Sequence, residues 1–147
     1  MKQPLEASKG ARLAVAILAV LAVMGSGCGG AIRADELSRS VDSLVSSASE
    51  GQLLAEGVAA DRTKATFVRV RARELGETVD HEAEKLNDAS AKPDLAAEKK
   101  SAVGLADHIS SALGQLQLAP TDEPAATRAG KSLARLAAHG EQLSDSL

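Results

Sequence analysis

The chain of 147 residues is long enough for one domain. It holds one Phe, no Trp and no Tyr, so it offers no platform for stacking bases or sugars or for caging quaternary ammonium groups. The net charge is −3 overall, and from Cys28 onward 14 basic residues face 19 acidic ones, which excludes nucleic acid as a partner because phosphate binding needs a basic surface.

Residues 1–27 differ from the rest. Lys2, Lys9 and Arg12 precede an apolar run over 13–24, "LAVAILAVLAVM", and small residues follow up to Cys28. A basic start, a short apolar run and a small-residue exit form the three-part pattern of a secretory signal peptide. The run is shorter than the roughly 20 residues an ordinary spanning helix needs. Cys28 is the only cysteine, so the chain forms no internal disulfide.

The stretch Gly25-Ser26-Gly27-Cys28 resembles the lipobox of bacterial lipoprotein precursors, with Gly25 where that family usually carries Leu. The resemblance implies that the Cys28 thiol receives a diacylglycerol and that cleavage leaves Cys28 as the lipidated N-terminus. Gly25, Ser26 and Gly27 then form the cleavage motif, and residues 28–33 a short tether. Several acyl chains, at roughly 0.8 kcal/mol per buried CH₂, hold far more firmly than one. Two other readings stay open. Cys28 is incidental to a signal peptide cleaved elsewhere, or the uncharged run over 13–32, between Arg12 and Arg33, remains as an uncleaved anchor. All three place the rest of the chain outside the cytoplasm.

From residue 34 the sequence reads as an all-α, up-down-up-down four-helix bundle. About a fifth of all residues are Ala, and Leu, Glu, Arg and Lys, also strong helix formers, supply much of the rest. The first helix is expected over 34–60, with a heptad seam at Leu37, Val41, Leu44, Ala48, Gly51, Ala55 and Val58. The second spans 66–89, with Val68, Ala72, Leu75, Val79, Ala83 and Leu86 inward. Residues 61–66 between them contain neither Gly nor Pro, which leaves a three-helix alternative with one continuous helix. The third follows Lys92-Pro93-Asp94, with proline in its first turn and a seam of Leu95, Ala102, Ala106, Ile109, Leu113 and Leu116. The fourth follows the acidic stretch 120–124 and turns Ala126, Ala129, Leu133, Leu136, Gly140, Leu143 and Leu147 inward.

Short connections favour antiparallel neighbours. Laying helix four against helix one, with Val58 level with Ala126 and Leu37 level with Leu147, sets Leu133 against Gly51, Leu136 against Ala48 and Leu44 against Gly140. Large then meets small at three levels, as close packing requires.

Chemistry-bearing patterns are sparse. In "FVRVRAREL" (67–75) a helix places Arg69 and Arg73 on one side with Arg62, as a solvated face with local ion pairs or as one able to meet headgroups or anionic polymers, and leaves Arg71 elsewhere and Val70 exposed. An ion pair from Arg73 to Glu77 is expected there. His81, His108 and His139 lack the Glu-x-x-His spacing of di-iron bundles, and Glu77 with His81 is the nearest approach to a ligand pair. They read as surface histidines, with no metal and no cofactor. The chain has no Gly-x-Ser-x-Gly elbow and no phosphate loop followed by Lys, so no enzyme is expected. The sequence therefore points to an envelope-anchored helical lipoprotein, on the cell membrane or the outer membrane. Its role is structural, spacing or binding, toward an envelope protein or an anionic polymer. An extracytoplasmic carrier of a small ligand or metal is the alternative.

Overall fold

The computed structural model of the chain describes residues 31–147. Four helices, α1 (Ala34–Ala59), α2 (Ala65–Asp88), α3 (Ala96–Leu118) and α4 (Glu123–Asp145), make up almost all of it. Two-residue strands β1 (Ala31–Ile32) and β2 (Ser90–Ala91) pair in parallel, Ala31 with Ser90 and Ile32 with Ala91. The all-α bundle expected from the sequence is the one observed, and the break after Ala59 removes the single long helix. The strand pair escapes periodicity altogether, because two residues are too few to alternate.

Each boundary has a local cause. Before α1, the Arg33 N–H donates to Glu36 Oε2 at 3.2 Å, and Asp35 and Glu36 complement the positive end of the helix. The end of α1 solves the missing-glycine problem. Arg62 N–H donates to Gly57 O at 2.9 Å and Asp61 N–H to Val58 O at 3.0 Å, a Schellman closure with Asp61 at φ 51° in the left-handed region. Aspartate visits that region more readily than most residues. The α2 C-terminus is closed by a side chain, since Lys99 Nζ donates to Ala89 O at 2.6 Å and Asn87 O at 3.3 Å. Pro93 lies in the turn ahead of α3 rather than inside its first turn, and Leu95 becomes the residue before the helix. Asp122 Oδ1 accepts from Ala125 N–H at 2.8 Å and starts α4.

The helices form a ring in which α1 packs chiefly on α4 and α2 on α3, while α3/α4 and α1/α2 contacts close it. Hydrogen bonds fix the antiparallel registers. Ser144 Oγ donates to Asp42 Oδ1 at 2.8 Å and lies 3.0 Å from Ser38 Oγ across α1/α4. Ser110 Oγ donates to Asp80 Oδ1 at 2.8 Å across α2/α3.

The register expected for α1 and α4 holds. A methyl group placed on Gly51 would stand 3.1 Å from Leu133 Cδ1, so leucine does face glycine there. At Gly140 the facing residue is Val45, not Leu44, at 2.5 Å from such a methyl group. Leu44 is fully buried and points to the common core, whereas its neighbour on the helix flank meets α4. The same geometry buries Leu54, Leu105 and Ala112, which lie beside the seam, because a bundle helix covers a stripe wider than two positions in seven. On α4, Ala137 is buried and Leu136 only partly so.

Candidate functional site

The N-terminal junction is the most specifically built feature near the expected anchor. Ile32 is buried, at 4% exposure, and with Leu37 occupies the two positions of a hydrophobic staple around the start of α1. Both belong to one apolar cluster. Residues 31–33, expected as part of a tether, are thus held on the bundle by strand pairing and burial. Gly25, Ser26, Gly27 and Cys28, the residues of the expected lipidation motif, lie outside the described residues. An isolated apolar residue just before an acidic helix start was the available signal for this junction.

An open groove of about 370 Å³ begins beside Ile32 and is lined by Glu36 and Arg39 of α1 and by Lys85 and Ala89 near the end of α2. A second, of about 270 Å³, lies farther along the same two helices, between Glu50, Leu53 and Leu54 of α1 and Phe67 and Arg71 of α2. Arg71 ties the helices together at its edge. Its Nε donates to Glu50 Oε1 at 2.7 Å, a second nitrogen also reaches that oxygen, and Nη1 donates to Glu74 Oε2 at 2.9 Å. Hydrogen bonding to Glu50, then to Glu74, raises the Arg71 pKa above its ordinary value, against the opposing effect of burial. Arg71 was expected only to point away from the other arginines. That it bridges helices needed the α1/α2 register, which spacing within α2 does not contain.

The other expected residues are dispersed. Arg62, Arg69 and Arg73 are all exposed, and Arg73 Nε lies 3.5 Å from Glu77 Oε1, the ion pair expected from their spacing. Glu77 is therefore engaged with an arginine on the side opposite His81 in sequence. His81, His108 and His139 are exposed on three different helices, and His108 Nδ1 donates to Gly104 O at 2.6 Å. Among the described residues no group of three or more His, Cys, Asp and Glu is placed to hold a metal ion. No helix among them is long and apolar enough to cross a membrane.

The chain matches no protein-family model, no curated protein and no solved structure. Val70, expected to stand in solvent, is 43% exposed, and Leu53, Phe67 and Leu118 are exposed as well.

Proposed function

We propose that this protein is a lipoprotein of the bacterial cell envelope, anchored through acyl chains on Cys28 and acting as a structural, spacing or protein-binding element. The observation that carries the reading is the order of residues 2–28: basic residues, a short apolar run, then Gly25-Ser26-Gly27-Cys28. The bundle supports it indirectly. Its junction at Ile32 leaves only Cys28, Gly29 and Gly30 between an N-terminal lipid and the folded chain, a span of about 10 Å at most. Such a bundle works beside the bilayer rather than at the end of a stalk. Its partner in this reading is the membrane, and beyond it an envelope protein or an anionic polymer.

Mass spectrometry of the N-terminus of protein purified from membranes tests the reading. The expected species begins at Cys28 and carries a diacylglyceryl group, and Cys28→Ser leaves the leader attached or releases an unlipidated chain. A full-length polypeptide with a free Cys28 thiol, recovered from the cytosol, overturns it.

A further inference from the structure

Leu118 stands in solvent at the end of α3, and the other large exposed apolar side chains lie on α1 and α2. Leu53 is 66% exposed and Phe67, the sole aromatic residue, 56%. Both line the outer groove between α1 and α2, with Val70 one turn farther along α2. Ile32 brings the chain into the fold beside the other groove between these two helices, and Glu36 and Arg39, which line that one, share a face of α1 with Glu50 and Leu53 at the three- and four-residue spacing of a helix. Likewise Lys85 lies on the face of α2 that holds Phe67 and Arg71. The N-terminus therefore leaves the bundle on the flank that exposes its apolar residues, about 28 Å along α1 from Leu53 at 1.5 Å per residue.

We propose that the α1/α2 flank rests on the bilayer that holds the N-terminus, with Leu53 and Phe67 entering the boundary between headgroups and acyl chains. This rests on the anchoring proposed above. Three apolar side chains would bind a membrane weakly on their own, but a tether of three residues makes the contact intramolecular and raises its effective concentration to the millimolar range or higher, roughly. The cations that line the two grooves are each paired with a carboxylate of the protein. Arg71 holds Glu50 and Glu74, Lys85 lies 3.3 Å from Glu82, and Arg39 lies 3.3 Å from Asp35. These three cations are engaged with carboxylates rather than free for lipid phosphates, so the contact rests on apolar burial and persists on zwitterionic lipid.

The test uses the lipidated protein in vesicles of phosphatidylcholine and phosphatidylethanolamine carrying a headgroup quencher. Acylated Cys28 offers no free thiol, so Ser46→Cys on the exposed α1 flank and Gln115→Cys on α3 each take a single fluorophore. The Ser46 label is expected to be quenched several-fold more than the Gln115 label, and Leu53→Ser with Phe67→Ser to abolish the difference while far-UV circular dichroism is unchanged. Equal quenching in the native chain overturns the proposal, as does a difference that survives the double substitution. A difference that grows with the protein-to-lipid ratio assigns the flank to a second copy of this chain and overturns it too. Cosedimentation with vesicles reads the anchor independently: a chain that stays in the supernatant overturns both the anchoring and the docking, whereas one that sediments with equal quenching overturns the docking alone.

Discussion

Replacing five of the helical glycines by alanine should give three different outcomes. Gly76, Gly104 and Gly114 have nothing within 4 Å of the position a methyl group would take. Alanine there gains helix propensity without a steric penalty, about 0.8–1 kcal/mol each. At Gly140 the methyl would meet Val45 Cγ2 at 2.5 Å and Leu105 Cδ2 at 3.1 Å. Valine in a helix has one strongly preferred rotamer, so it cannot swing aside, and α1 and α4 must separate. Overpacking of this kind costs about 1–3 kcal/mol, which exceeds the propensity gain and leaves Gly140→Ala destabilised by about 1 kcal/mol. Gly51→Ala falls between them. Its neighbours, at 2.7 Å and 3.1 Å, are the flexible tips of Leu113 and Leu133, which can yield, so the net change is near zero. Urea unfolding followed by circular dichroism at constant m-value reads these differences as shifts in midpoint. A Gly140→Ala protein as stable as Gly114→Ala would refute the α1/α4 packing described here.

Asp61→Gly should stabilise the chain by about 0.5 kcal/mol, since glycine takes the φ of 51° without the strain of a Cβ and removes a carboxylate from the negative end of α1; a lowered thermal midpoint would contradict the turn. Ser40 is buried and its Oγ finds no hydrogen-bond partner among the described residues, so Ser40→Ala should raise stability by about 1 kcal/mol in the same denaturation assay. Glu50→Gln weakens the bridge to Arg71, and because both side chains are more than a third exposed the loss should stay at or below about 0.5 kcal/mol and shrink in high salt. A double-mutant cycle with Arg71→Met measures it directly.

Heptad spacing carried the bundle, the helix order and the α1/α4 register, because each of those depends on which face of a helix is apolar. Leu37, Val41, Leu44 and Ala48 were readable in that way and are fully buried. What depends on two helices at once was not. Val45 rather than Leu44 against Gly140, and Arg71 bridging to Glu50, are set by rotation about the helix axes, which a single-helix period leaves free. The α1 ending was hidden for a different reason. Asp61 performs a role usually marked by glycine, so the residue type alone gave no stop signal. At the junction, the pairing of Ala31 with Ser90 joins segments about sixty residues apart, and no local pattern announces it.

The same geometry locates the weakest part of the bundle. Helix α2 buries five residues where α1 buries ten, and it begins at Lys64 with no side-chain cap and no acidic residue in its first turn. Lys64 and Arg69 lie near the positive end of the helix, where cations are unfavourable, and Gly76 lowers helix propensity in its middle without any packing in return. Local opening should therefore start at the N-terminal end of the helix, in residues 65–70, where Val68 alone is buried. That segment also carries Phe67 and Val70, whose exposed surface does nothing to hold it down. If the α1/α2 flank lies on a bilayer, the membrane supplies the missing contacts. Hydrogen exchange read by mass spectrometry should then show residues 65–70 exchanging faster than α1 in detergent-free protein lacking the lipid, and in the lipidated protein slowing on vesicles far more than residues 105–116 of α3. Uniform protection across the four helices without lipid would mean that the uncapped start and the open glycine cost α2 less than their chemistry requires.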